Sequence, residues 1–246
     1  MATAFNVVVF GESGAGKSSL INMISESPNL APISSDARGC TFNSSPYNVT
    51  LAGKLFKLHD TAGLDEGEGG RVPKSDAIVK LYSLIKSLDA GVSLLIFCMR
   101  GPRIKDAAHK NWRLFHEIIC QNQVPIAIAI TGLEAEEDMD EWWPKNKGAF
   151  QAYGMNPAGV ACITATRGKR NKNGSYKFDD EYEESKLKVW KLIRSHHLER
   201  PWRVAPVQWF RQIVSTVAGE GIQQLVARCE MSQEQATDLG KLLANV

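Results

Sequence analysis

Residues Gly11 to Ser18 read Gly-Glu-Ser-Gly-Ala-Gly-Lys-Ser, the spacing G-x-x-x-x-G-K-S/T of a phosphate-cradling loop. The apolar run Phe5-Asn6-Val7-Val8-Val9-Phe10 precedes it, and Ser19-Leu20-Ile21-Asn22-Met23-Ile24 follows with helical character. Strand, glycine loop and helix are the context this spacing requires. Glycines let backbone N–H groups curl around an anion with no Cβ in the way. The helix N-terminus adds the positive end of its dipole. Gly11, Ser13, Gly14, Ala15, Gly16, Lys17, Ser18 and Ser19 are therefore expected to wrap a nucleotide phosphate. Lys17 is expected to reach the β- and γ-phosphates, and the Ser18 hydroxyl to ligate Mg²⁺.

Strand-like runs recur along the chain. Tyr47–Leu51 and Lys54–Leu58 are joined at Ala52-Gly53 in the manner of a hairpin. Val92–Met99, Val124–Ile130 and Val160–Thr164 are almost continuously apolar, as parallel strands covered on both faces must be. Helix-length stretches lie between them, at about Ser75–Leu88, Ala107–Cys120, Asp140–Tyr153 and Asp179–His197. This alternation predicts a three-layer α/β fold with a mostly parallel central sheet. Ligands of such sheets bind at the carboxyl ends of the strands. From about Arg200 the pattern changes: prolines 201 and 206 precede two helical segments, about Val207–Val217 and Ser232–Ala244. The expected division is residues 1–200 as one domain and 201–246 as a helical C-terminal extension. Val207, Phe210, Ile213, Val214 and Val217 form one apolar stripe that must be covered. It folds back on the domain, packs on a second protomer, or meets a membrane or another protein.

Leu58-His59-Asp60-Thr61-Ala62-Gly63 ends the third strand. An aspartate at a strand tip beside a phosphate loop is a second metal-holding element, so Asp60 is expected to support Mg²⁺ through water. The Gly63 N–H is placed to meet a γ-phosphate, and Thr41 to close its hydroxyl over the metal. Asp65-Glu66-Gly67-Glu68-Gly69-Gly70 follows as a glycine-rich loop suited to switching.

The order of phosphate loop, Thr41 and Asp60-Thr61-Ala62-Gly63 resembles the G domain of small GTPases, a P-loop NTPase fold of the TRAFAC class. The resemblance covers about residues 5 to 197. Asp-Thr-Ala-Gly-Leu-Asp-Glu, Thr-Gly-Leu-Glu and the pair Trp142-Trp143 look most like a group of fungal G-domain proteins. Septins, the immunity-associated GTPases and the chloroplast-import GTPases are more distant. The resemblance implies that GTP or GDP is bound with Mg²⁺, and that GTP is hydrolysed. It implies phosphate and metal roles for Lys17, Thr41 and Gly63 in catalysis. In the family an Asn/Thr-Lys-x-Asp run reads guanine; here the matching run is Thr131-Gly132-Leu133-Glu134. Gly132 lacks the lysine stem that covers the base, and Glu134 is one methylene longer than the usual acid. Glu134 still offers a bidentate acceptor to guanine, and adenine has no matching donor pair. Ala165-Thr166-Arg167 matches the family's Ser-Ala-Lys, with the Thr166 N–H facing guanine O6.

Leu64 stands where Ras-like enzymes carry the glutamine that orients the attacking water. Ser13 occupies a glycine position of the Ras-like loop, where a side chain crowds an incoming arginine finger. Slow hydrolysis and a molecular-switch role are the expectation. A nucleotide-dependent homodimer with negligible hydrolysis and an ATP-using enzyme are the alternatives. Arg103 and His59 are loose candidates for completing catalysis, with a structural role the favoured reading for either.

The net charge of +2 gives no ground for expecting nucleic acid as a partner. The basic run Arg167–Lys177 is read as a solvated loop beside Asp179-Asp180-Glu181. Five scattered cysteines (Cys40, Cys98, Cys120, Cys162, Cys229) read as free thiols of a reducing compartment. With no leader-like segment and no apolar run of membrane-spanning length, a cytoplasmic location is expected.

Overall fold

The structure is a computed structural model, and it describes residues 4–25, 46–61, 88, 90–101, 107–203 and 237. Six strands form one sheet: β1 Ala4–Gly11, β2 Tyr47–Leu51, β3 Lys54–Asp60, β4 Leu94–Arg100, β5 Ile126–Thr131 and β6 Gly159–Cys162. Their spatial order is β2-β3-β1-β4-β5-β6. Every neighbouring pair is parallel except β2 with β3. That exception follows from the turn. Ala52 and Gly53 both take positive φ (49° and 78°), the backbone of a two-residue hairpin. The expected α/β architecture is therefore the one observed.

Strand alternation builds two cores on the two faces of the sheet. Val7 and Val9 face Leu20, Ile21 and Ile24 of α1 (Lys17–Ile24) together with Val189, Leu192 and Ile193 of α4 (Asp179–His196). Phe10 faces the other way, stacked on Phe97 at 5.1 Å and tilted against Phe115 at 4.5 Å between ring centroids. Phe115 lies in a π-helical turn, Leu114–Ile119, that continues α2 (Ala107–Arg113). The sequence pattern foresees a helix here but not its widened last turn. A 3₁₀ turn, Met139–Glu141, leads into α3 (Trp142–Ala152). Trp142 is buried and Trp143 half-buried, as adjacent helical positions require. Cys98, Cys120 and Cys162 are buried free thiols, and burial pushes those of Cys98 and Cys120 up to about 12.

The last described stretch runs beside the start of β4. Leu198 N–H donates to Ser93 O at 2.9 Å, and Val92 and Trp202 exchange two backbone hydrogen bonds of 2.8 Å each. The chain is thus tied to the sheet as far as Trp202. Among the described residues no helix is long and apolar enough to cross a membrane. The expected helices at Ser75–Leu88, Val207–Val217 and Ser232–Ala244, the loop Asp65–Gly70, Arg103, Cys40 and Cys229 fall outside the described residues, apart from Leu88 and Thr237.

His59 has a structural place in this sheet. Asn6 Nδ2 donates to Gly91 O at 2.7 Å, and Asn6 Oδ1 accepts from His59 Nε2 at 3.0 Å. Burial first, then the neighbouring Lys57 charge, lowers the His59 pKa from 6.5 to about 4. The unfolded chain therefore takes up a proton near pH 6.5 that the folded chain refuses until about pH 4. Stability is fully present above pH 6.5 and falls as pH drops through that window, by on the order of 3 kcal/mol. Urea unfolding between pH 4 and 7.5 should show this loss, and His59→Gln should flatten it.

Candidate nucleotide-binding site

The glycine loop leaves the sheet at Gly11, and the sheet leaves no room there for anything larger. A Cβ on Gly11 would lie 2.1 Å from the Cys98 carbonyl oxygen on β4. The loop then turns through exposed Ser13 and Gly14 and enters α1 from Gly16, whose φ is 84°. It is pinned from beneath at one atom. The Ala15 carbonyl accepts from Thr131 Oγ1 at 2.9 Å and from Cys98 Sγ at 3.3 Å. Strands β4 and β5 thus hold the floor of the loop. Lys17 is buried, and its Nζ donates to Glu12 O at 2.9 Å and Gly11 O at 3.2 Å, which draws the ammonium inside the curl.

Asp60 ends β3 level with Val9 of β1, and Thr61 Oγ1 donates to Val9 O at 2.9 Å. The parallel register therefore delivers the carboxylate to the first turn of α1. There Ser18 Oγ donates to Asp60 Oδ2 at 2.6 Å. Among the described residues the other oxygen, Oδ1, is buried with no hydrogen-bond partner. Burial raises the Asp60 pKa, against the Ser18 hydrogen bond, the Lys17 charge and the Thr61 N–H. A half-buried carboxylate with one buried, unpartnered oxygen beside a serine hydroxyl is a hard-oxygen donor pair that fits Mg²⁺. Two oxygens leave most of an octahedral shell for water and phosphate.

At the other end of the loop, Thr131 ends β5 and is followed by Gly132, Leu133 and half-buried Glu134. Glu134 Oε2 lies 3.2 Å from Thr164 Oγ1. The same hydroxyl lies 3.1 Å from Thr166 O, so its one proton is shared between them. Thr166 N–H approaches that Oγ1 at 3.3 Å, while Thr166 itself is exposed and its Oγ1 accepts from Gly168 N–H at 3.1 Å. Glu134 and Thr166 therefore meet at Thr164, with Ala165 between the two threonines, while Thr131 is turned to the phosphate loop. Sequence reasoning passed over Thr164; its place at the end of an apolar run, just before Ala165-Thr166, was the available signal. Ser185 of α4 fixes the same corner, with its Oγ accepting from Thr164 N–H at 3.0 Å. Arg167 is turned away from the site by bonds to Asp179 and Glu183, and it packs 4.2 Å from the Tyr182 ring centroid. Thr41, Gly63 and Leu64 lie outside the described residues.

A glycine loop over a helix N-terminus, a serine–aspartate pair beside it and a strand-end acid beyond it define a P-loop G domain. The family model for 50S ribosome-binding GTPases matches residues 6–131, half of the chain, and the chain belongs to that family. It is 48% identical over 64 residues to the mitochondrial 5-taurinomethyluridine-tRNA synthase subunit GTPB3 of Rattus norvegicus, covering 26% of this chain and 13% of that protein. It is 32% identical over 123 residues to the probable GTP-binding protein EngB of Phocaeicola vulgatus, covering 49% and 56% respectively. The matches thus span between about an eighth and just over half of these relatives. Toc33 from Arabidopsis thaliana in complex with GDP and Mg²⁺ shares the fold, with a TM-score of 0.51, 15% identity, and 81% and 86% of the two chains covered. A dimerization-deficient mutant of Toc33 gives a TM-score of 0.54 at 15% identity, over 78% of this chain and 85% of that one.

Replacing Gly11 by Ala should force β1 and β4 apart, at a cost above about 3 kcal/mol. Gly14→Ala has nothing within 4 Å of the added Cβ and bears only the strain of its positive φ, 74°, about 1 kcal/mol. Denaturant midpoints of the two variants should rank in that order, and equal midpoints would contradict the packing described here.

Proposed function

We propose that this chain binds GTP and GDP with Mg²⁺ between the Gly11–Ser19 loop and the Glu134–Thr166 corner, and hydrolyses GTP slowly as a molecular switch. The observation that carries the reading is the 2.6 Å contact between Ser18 and Asp60, residues 42 apart in sequence. It joins the two motifs that a nucleotide-bound Mg²⁺ needs. Lys17 stabilises phosphate charge, Ser18 and Thr41 ligate the metal, and Asp60 supports its water shell. Gly63 reports the γ-phosphate. Bound Mg²⁺ supplies electrostatic stabilisation of the charge that develops on the transferring phosphoryl group.

Thr131 and Ala165 flank the base, the Glu134 carboxylate accepts from guanine N1–H and N2–H, and the Thr166 N–H donates to O6. Leu64 cannot orient a water, so turnover is expected on the order of 10⁻⁴ to 10⁻² s⁻¹ without assistance. A cytoplasmic protein with a G domain over 1–200 and a helical extension over 201–246 completes the reading. A nucleotide-dependent homodimer is the second reading. The exposure of Ser13 at the mouth of the loop and the dimerization described for Toc33 favour it.

Competition of GTP and ATP for a fluorescent guanine nucleotide tests the base assignment, with ATP expected to compete poorly. Lys17→Ala should abolish triphosphate binding, and retained affinity would remove the phosphate assignment. Glu134→Ala should cost at least tenfold in preference for GTP over ATP, because a buried donor pair on the base then loses its acceptor. An unchanged preference would mean that the base is read elsewhere. A single-turnover rate as fast as an activator-assisted GTPase, in dilute monomer, would overturn the slow switch.

A further inference from the structure

Arg100 closes β4 and stands level with Thr131 in the parallel register. It is exposed, and among the described residues its guanidinium has no hydrogen bond or ion pair. Its side chain lies along β5 at one particular residue. A Cβ on Gly132 would be 3.2 Å from Arg100 Cγ, 3.5 Å from Nε and 3.7 Å from Cζ. Gly132 has φ of 78°, so its backbone disfavours any side chain, and the space is given to Arg100 instead.

The neighbouring contact is reciprocal. A Cβ on Gly101 would meet Leu133 Cδ2 at 2.6 Å, and Leu133 is buried. Leu133 fills the notch at Gly101 and Arg100 fills the notch at Gly132, which fixes both strand ends against each other. Gly101 N–H also donates to Thr131 O at 2.8 Å. The Arg100 side chain therefore lies against Gly132, one residue after Thr131, which pins the phosphate loop, and two residues before Glu134.

We propose that Arg100 is a base-contacting specificity residue whose guanidinium lies against the face of the bound guanine, in the space that Gly132 leaves open. The inference rests on the assignment of Glu134 to the base edge. A guanidinium is planar and weakly hydrated, and it stacks on aromatic faces. Above a purine whose edge is held by a carboxylate, it also offsets the negative charge of that carboxylate. Lysine has the charge without the plane, so it is a partial substitute.

The test is equilibrium binding of fluorescent GDP and GTP, with inorganic tripolyphosphate as competitor, to wild type, Arg100→Ala and Arg100→Lys. Thermal unfolding verifies that each variant is folded. Arg100→Ala should raise the Kd of GDP and of GTP by the same factor, roughly tenfold, and leave tripolyphosphate unchanged. Arg100→Lys should recover less than half of that loss on a logarithmic scale. Equal GDP affinity in wild type and Arg100→Ala would overturn the role of Arg100 alone. A loss confined to GTP, or shared by tripolyphosphate, would place the guanidinium on phosphate and also overturn it. Failure of the wild type to bind either nucleotide would overturn the guanine reading itself, and this inference with it.

Discussion

The close approach of β1 to β4 at Gly11 is the constraint on which the site depends. With no Cβ at Gly11, the end of the first strand lies directly on the carbonyl of Cys98. The loop must rise from there, and what lies beside it follows from strand register. Asp60 arrives level with Val9, Arg100 arrives level with Thr131, and Thr131 reaches back to Ala15. Strand register thus brings the glycine loop, Asp60, Arg100 and Thr131 to the same end of the sheet.

Electrostatics then ties these elements together. Lys17 is buried inside the loop, near a carboxylate that burial drives toward protonation. The Lys17 charge, the Ser18 hydroxyl and the Thr61 N–H all oppose that drive. The arrangement is incompletely compensated, since Asp60 keeps one buried oxygen with no hydrogen bond among the described residues. A buried acceptor left without a donor is already desolvated, and a cation bound there would recover what desolvation costs.

Much of the architecture was legible in the sequence because its causes are local. Up to their last residues β4 and β5 are buried on both faces, and those runs are accordingly apolar. The glycine loop, the strand-end aspartate and the two-residue hairpin likewise show themselves within a few residues. Less legible were features that depend on register between distant strands. Thr164 ends an ordinary-looking apolar run, yet it touches Glu134, Thr166 and Ser185. Arg100 looks like a solvent-facing strand end until Gly132 is set beside it. Arg167 belongs to a basic run by composition, but two acids on the following helix claim it. The π turn at Leu114–Ile119 has no local signature that separates it from the helix it continues.

The carbonyl of Ala15 carries a further consequence. It accepts from Thr131 on one strand and from Cys98 on the next, so a single oxygen supports the floor of the phosphate loop from the ends of β4 and β5. Under the proposed assignment, base and phosphate subsites are then not separate variables. A substitution at Thr131 would tilt the loop as well as change the proposed base wall, and its effect would not add to that of a substitution at Lys17. On that assignment, affinity for a nucleotide would not factor into a nucleoside part and a phosphate part. The hydrogen bonds to Ala15 are where the two parts meet.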